Sequence, residues 1–162
     1  GAFIMPNLFP PVTTPEMLEA YSARIREAMD GAAFTRYMTL FFTPQTEAGL
    51  QAICRTPEFF GFKLYPAGIT TNSEGGIAHM EEADSTLRMM EEMGIPLLVH
   101  GESHGFVMDR EAEFLSVYRN LATRYPKLRI SMEHITTAAA VDIAPQDIAA
   151  EETVTFVWSL LE

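Results

Sequence analysis

The sequence predicts an α/β fold, in which about six parallel strands form an incomplete TIM-like (β/α) barrel. Short apolar runs with strand character alternate with segments whose apolar residues repeat at helical spacing, as in a parallel sheet covered by helices. A complete barrel of this kind needs about 250 residues, whereas the chain has 162. We therefore expect residues 1–162 to form one partial barrel domain.

Local signals support the individual elements in chain order. Pro15 suits a first helical position, and Thr13 with Glu16 forms a capping-box pattern before the first helix. Gly94 is expected to end the third helix, and Asp109 to cap the fourth. The predicted strands are 2–5, 36–42, 59–65, 96–101, 128–134 and 153–158, and the predicted helices are 15–29, 45–54, 78–93, 109–124 and 137–142.

An open doubly wound sheet shows the same alternation of elements, and the side chains of the third strand favour the barrel instead. Successive strand residues point to opposite faces. Lys63 and Tyr65 would therefore face inward, whereas Phe60, Phe62 and Leu64 would face outward against helices. A barrel can admit a polar group on its inner face near the top of a strand.

The same alternation makes a definite prediction for the fifth strand. Ile130, Met132 and His134 are expected on the inner face. Glu133 would then point toward the helix layer, an arrangement for which the sequence offers no reason.

Composition excludes several classes of function. The net charge of −11 disfavours nucleic acid and anionic membranes as partners, although an anionic small substrate remains compatible because bound metal can dominate a local field. No apolar run is long enough to span a membrane, and no signal peptide is visible. The single cysteine, Cys54, rules out an internal disulfide framework and is typical of the cytoplasm, where we place the protein.

Three strand-like runs each end in a residue that can hold a metal ion. Lys63, His100 and His134 lie 37 and 34 residues apart, about one strand-helix-strand unit each. Because the C-terminal strand ends of a barrel meet on one face, these side chains are expected to converge. Two neutral imidazoles suit zinc, although an isolated histidine is more often part of a hydrogen-bonded structure.

Lys63 is the most informative of the three residues. Burial in an apolar strand should lower the pKa of its amine, and a neutral amine can add carbon dioxide to give a carbamate whose two oxygens bridge two cations. The alternative is a lysine that extends to the strand end or forms an ion pair.

Four stretches of the sequence resemble the dihydroorotase family of the amidohydrolase superfamily, in its single-domain bacterial type. They stand in the family's order and cover most of residues 3 to 142. The stretches are Met5-Pro6-Asn7-Leu8 with Pro10-Pro11-Val12-Thr13-Thr14, Lys63-Leu64-Tyr65-Pro66-Ala67 with Thr70-Thr71-Asn72-Ser73, Pro96-Leu97-Leu98-Val99-His100-Gly101-Glu102, and Glu133-His134-Ile135-Thr136-Thr137.

The resemblance implies a metal-dependent barrel that interconverts N-carbamoyl-aspartate and dihydroorotate in pyrimidine biosynthesis. It identifies Lys63 as the lysine that is carboxylated and bridges two zinc ions, and His100 and His134 as ligands of the second zinc. Asn7 matches an asparagine that helps to hold the substrate carboxylate. The implied partner is thus a small molecule.

The chain also departs from the family pattern. The family opens with a His-x-His-x-Arg strand and ends with a catalytic aspartate on the last strand, and neither is found here; the stretch 153–158 carries Phe156 and Trp158 where the family has Pro and His. The chain is therefore expected to correspond to the central portion of a dihydroorotase, with no catalytic residue assigned. Alternatives are a non-catalytic remnant that self-associates and one half of a split enzyme.

Three expectations follow from these departures. The isolated chain should form a homo-oligomer, since an open barrel exposes sheet edges. It should not measurably cyclise carbamoyl-aspartate. Lys63 should be unmodified, and zinc at most sub-stoichiometric, when His100 and His134 are the only other ligands.

Overall fold

Six parallel strands form one sheet, and their order in the sheet is their order along the chain. The computed structural model describes residues 1–146 and 154–157, with side chains placed through residue 143. The strands are β1 Ala2–Ile4, β2 Arg36–Phe41, β3 Phe59–Leu64, β4 Leu97–Val99, β5 Ile130–Glu133 and β6 Val154–Val157. This sequential, all-parallel order is that of a TIM barrel, and the six predicted strands are all present; residues 153 and 158, the ends of the last predicted strand, lie outside the described residues.

The sheet curls as a barrel does. Phe3 of β1 lines one cavity together with Leu98 of β4 and Ser131 of β5. Strands in a sheet lie about 4.8 Å apart, so β1 and β5 would be separated by about 19 Å in a flat sheet. Because their side chains meet across one cavity, the inner face is concave and the predicted incomplete barrel is confirmed.

In the described residues, five α-helices connect the strands. They are α1 Pro15–Ala28, α2 Glu47–Cys54, α3 Asp84–Met93, α4 Arg110–Arg124 and α5 Ala138–Gln146, and a 3₁₀ turn, Met80–Ala83, precedes α3. None of the helices in the described part of the chain has the length and apolar character that crossing a membrane requires.

The helix ends agree with the sequence in part. Gly94 ends α3 in the left-handed conformation, with φ of 67°, as predicted. The predicted capping box at Thr13 is wrong by one residue, because the N-cap is Thr14, whose hydroxyl accepts a hydrogen bond from the backbone N–H of Met17. Asp109 occupies the N-cap position of α4, but its side chain makes no capping hydrogen bond.

The main core lies between the outer face of the sheet and the helices. Leu40, Phe62 and Leu97 are fully buried there and belong to one apolar cluster with helix residues such as Leu18 and Leu87. Burial of such side chains supplies about 1.5–3 kcal/mol each. This outer core holds the strand ends, and thus the polar groups at those ends, in fixed relative positions.

Two predictions about side-chain direction are wrong. Phe60 faces inward, with its ring centroid 4.8 Å from that of Phe3, because the β2–β3 pairing shifts by one residue there and leaves Phe60 as an extra residue. In β5, Ile130 and Met132 belong to the outer core rather than the inner face. Glu133 is consequently directed inward.

Candidate metal centre

The C-terminal ends of β3, β4 and β5 bring the three predicted metal ligands together. Lys63 is the penultimate residue of β3, whereas His100 and His134 each follow directly after their strands. Adjacent parallel pairing, with Lys63 opposite Leu98 and Leu98 opposite Ser131, aligns these ends at the same edge of the sheet. The residues thus meet where barrel enzymes place their active sites.

The two histidine rings meet through one nitrogen each. Nε2 of His134 lies 2.9 Å from Nδ1 of His100, and the ring centroids are 4.4 Å apart. Two nitrogens bound to one tetrahedral zinc at about 2.0–2.1 Å are about 3.3 Å apart. The pair therefore needs to open by only about 0.4 Å for both nitrogens to bind one zinc ion.

His134 reaches this position because its backbone leaves the strand conformation. Its φ is +42°, in the left-handed region that non-glycine residues rarely adopt. The change of direction interrupts strand alternation, so Glu133 and His134 both face the inner side. The sequence prediction assumed alternation through residue 134 and therefore misplaced Glu133.

His100 is held as a neutral imidazole. The pKa of His100 is lowered to about 3, mainly by burial and further by the positive charges that His134 and Lys63 can carry. Its Nε2 is buried without a hydrogen-bond partner, although Oε1 of Glu102 lies 3.5 Å away. A neutral ring with Nδ1 directed at His134 has the protonation state that metal binding requires.

Lys63 forms a buried ion pair with Glu133. Nζ of Lys63 donates a hydrogen bond to Oε2 of Glu133 and also lies 5.1 Å from the centroid of the Tyr65 ring. Only 1% of Lys63 and 8% of Glu133 is exposed. Burial lowers the pKa of Lys63, and the attraction of Glu133 opposes this effect. The ion pair is one of the two alternatives that the sequence left open for Lys63, but its partner was not foreseen.

Asn7 lies at the same end of the barrel, connected to the site through Tyr65. The Tyr65 hydroxyl donates to Oδ1 of Asn7 at 2.9 Å, and the Tyr65 ring centroid is 5.9 Å from that of His100. The Asn7 amide also donates to the carbonyl of Thr71, and Asn72 donates to the carbonyl of Asn7. These bonds join Asn7 to the loop that follows β3, whereas its role toward substrate stays a prediction.

The donor set fits a metal ion only if Lys63 takes part. Within residues 1–146 and 154–157, no three His, Cys, Asp or Glu side chains are arranged to hold a metal. Catalytic zinc usually has three protein ligands, and His100 and His134 supply two. A carboxylated Lys63 would add the third, an oxygen donor from the neighbouring strand.

Acid should destabilise the metal-free chain because His100 is buried as a neutral imidazole. The folded-state pKa of His100 is about 3 against 6.5 for the free side chain, so between these values the unfolded chain binds the extra proton. Stability conferred by neutral His100 is thus complete above pH 6.5 and is lost as pH falls toward 3, by at most about 1.4 kcal/mol per pH unit. Urea unfolding with a chelator present, repeated at several pH values, gives the unfolding free energy as a function of pH. This free energy should change less steeply with pH for His100→Gln than for wild type. The exposed His79→Gln serves as control, and equal slopes for all three chains would contradict the burial of a neutral His100.

Several known proteins are similar to the chain, although no family model matches it. A curated dihydroorotase from Psychromonas ingrahamii is 44% identical over 160 residues, which are 94% of this chain and 47% of that protein. One from Rhizobium etli is 45% identical over 147 residues, 87% and 42% of the two chains. The chain thus spans about half the length of the curated relatives it matches.

Solved structures agree with the sequence relatives. The crystal structure of dihydroorotase from Campylobacter jejuni matches with a TM-score of 0.90 and 45% identity, over 98% of this chain and 46% of that one. The dihydroorotase from Saccharomyces cerevisiae in complex with 5-fluoroorotic acid matches with a TM-score of 0.84 and 27% identity, over 96% and 47%. The similarity extends over nearly all of the chain. The chain therefore matches dihydroorotases along nearly its whole length and corresponds to about half of such a protein.

Proposed function

We propose that this chain supplies the bridging lysine and the second-metal ligands of a dihydroorotase site, which interconverts N-carbamoyl-aspartate and dihydroorotate in pyrimidine biosynthesis. The observation that carries the proposal is the meeting of His100 Nδ1 and His134 Nε2 at 2.9 Å beside the buried Lys63. Zinc is the metal we assign, because neutral imidazoles and a carboxylate-like oxygen are ligands that it accepts. The substrate is a small molecule, and the setting that fits is the cytoplasm.

Burial of Lys63 favours its carboxylation, whereas its ion pair with Glu133 opposes it. The ammonium first gives a proton to water. The resulting amine attacks the carbon of carbon dioxide, an N–C bond forms, one C=O electron pair moves to oxygen, and Nζ passes a second proton to water. The resulting carbamate keeps one negative charge on two oxygens. Burial lowers the pKa of Lys63 and so favours the neutral amine, but Glu133 must release Nζ before the reaction, since the pair holds the lysine as a cation.

The remaining residues would hold the metal and orient the substrate. His100 and His134 would each present one nitrogen to zinc, and the curled sheet would shield their rings from water. Asn7 would turn its amide from Thr71 toward the substrate carboxylate, while Tyr65 keeps its position. When bound, zinc would supply the Lewis acidity that polarises the ring amide carbonyl and the acidity that activates water.

Self-association is the second part of the proposal. In the described part of the chain, β1 pairs only with β2 and β6 only with β5, so both outer strands present free backbone groups. The concave inner face also has large apolar side chains, including Phe3 and Phe60. A homo-oligomer would cover these edges and this face.

Zinc titration tests the metal part of the proposal. Competition with a chromophoric chelator should detect weak zinc binding by the wild-type chain, and His100→Ala together with His134→Ala should remove it. His79→Ala with His104→Ala is the matched control, because both of these rings are exposed. Zinc binding that survives the loss of His100 and His134 would contradict the assigned site.

A further inference from the structure

The carboxylate of Glu111 binds the segment that follows His134. Glu111 is the second residue of α4, and it accepts hydrogen bonds from both the backbone N–H and the hydroxyl of Thr136 and of Thr137. Its two oxygens make five contacts of 2.7 to 3.0 Å to these four donors. A side chain 25 residues away in sequence thus satisfies every polar hydrogen donor of two consecutive residues.

These contacts also organise the start of α5. The hydroxyl of Thr137 accepts a hydrogen bond from the backbone N–H of Ala140 at 3.2 Å while it donates its own proton to Glu111. Negative charge near a helix N-terminus is stabilising. Burial by itself would raise the pKa of Glu111, and the hydrogen bonds from Thr137 and Thr136 outweigh it and lower the pKa. Glu111 is consequently a carboxylate anion near neutral pH.

His134 depends on the position of this segment. Residues 134–136 belong to neither β5 nor α5, so regular secondary structure does not fix them. His134 nevertheless keeps a left-handed φ of +42°, a strained conformation that persists only where surrounding contacts hold it. The strand holds Glu133 on one side, and Glu111 holds Thr136 on the other.

We propose that Glu111 is a positioning residue for His134: it anchors Thr136 and Thr137 and thereby keeps the His134 ring against that of His100. The proposal rests on the proposed function in treating His134 as a metal ligand, but the ring contact it explains exists without metal. The hydrogen bonds of the Glu111 carboxylate go to Thr136 and Thr137, whereas the ring of His134 bonds that of His100. Glu111 acts on the site only through the backbone between Thr136 and His134.

The test begins with the metal-free 162-residue chain. Nuclear Overhauser contacts between the His100 and His134 rings should be present in wild type, lost in Glu111→Ala and weakened in Glu111→Gln, which keeps one acceptor oxygen. Contacts within the β3–β4–β5 sheet should remain in all three, which separates loss of position from loss of fold. Glu91→Gln is the matched control, because Glu91 accepts a hydrogen bond from the backbone N–H of Lys127 at the opposite end of the sheet.

Zinc affinity supplies the second measurement. Glu111→Ala should weaken zinc binding about 10–100-fold, as expected for a group that orients a ligand, and Glu91→Gln should leave it unchanged. If Glu111→Ala does not fold, the Glu111→Gln ring contact decides. An unchanged ring contact in a folded Glu111 variant would overturn the proposal. Wild-type chain that shows the ring contact but binds no zinc would instead refute the proposed function, and the ring contacts of the variants would still decide the role of Glu111.

Discussion

Replacing Lys63 by alanine is expected to lower dihydroorotase turnover at least about 10³-fold in any assembly of this chain that is active, because groups of one catalytic unit fail together. The variant removes the nitrogen that would be carboxylated, and with it the third of the proposed metal ligands, beside His100 and His134. The effect is measured as the rate at which dihydroorotate forms from carbamoyl-aspartate at saturating zinc and bicarbonate.

Two variants separate carboxylation from charge. Lys63→Arg keeps a cation opposite Glu133, but a guanidinium stays protonated and does not add carbon dioxide, so this variant should be as inactive as Lys63→Ala. Lys127→Ala removes the other lysine of the chain, which is exposed, and should leave turnover unchanged. Turnover by Lys63→Arg close to that of wild type would show that Lys63 acts as a charge, and the bridging role would be wrong.

The elements of the fold could be predicted because each carries local signals. Apolar stripes, Pro15 and the left-handed Gly94 depend on neighbouring residues only, and the predicted strands and helices fall at the observed places. The largest difference among the helices is before α3, where the predicted start at residue 78 is replaced by a 3₁₀ turn and a helix that begins at Asp84. Competing capping residues explain the shift from Thr13 to Thr14, since either hydroxyl suits an N-cap.

Side-chain direction failed where the backbone departs from regular strand geometry. The extra residue at Phe60 and the left-handed backbone at His134 each interrupt the alternation, so the residues that precede them do not lie on the faces expected from the residues that follow. Gly61 directly follows Phe60 and is a local sign of the first irregularity, whereas His134 is neither glycine nor asparagine, the residues that most often adopt the left-handed conformation. For His134 we attribute the conformation to the contacts that Glu111 of α4 makes with Thr136 and Thr137.

The candidate site was also predictable only in part. The convergence of Lys63, His100 and His134 follows from strand spacing, because parallel strand ends meet at one edge. The partners that hold these residues, Glu133 for Lys63 and Glu111 for the segment after His134, are 70 and 25 residues distant from the groups they bind. A single sequence contains no local signal for such long-range pairs.

The second large effect is expected on stability, from Glu133→Ala. The substitution leaves Lys63 buried with its charge uncompensated, and breaking a buried pair in this way costs about 3–5 kcal/mol. Urea unfolding of the metal-free chain at pH 7 measures the loss. In the double variant Lys63→Met with Glu133→Leu, apolar side chains replace both charges, so most of the stability should return.

The dependence on pH identifies the cause of the Glu133→Ala effect. Burial holds the folded-state pKa of Lys63 below its ordinary value of 10.5, and Glu133 partly offsets this, so removing Glu133 lowers the pKa further. Between the lowered folded-state pKa and 10.5 the unfolded chain binds more protons than the folded chain. Stability is therefore complete above pH 10.5 and lost as pH falls, and the defect of Glu133→Ala relative to wild type should shrink from pH 7 to pH 10. The double variant should lack this relative recovery, having no lysine at position 63. A Glu133→Ala defect below about 1 kcal/mol, or one that does not change with pH, would mean that Lys63 reaches solvent without Glu133.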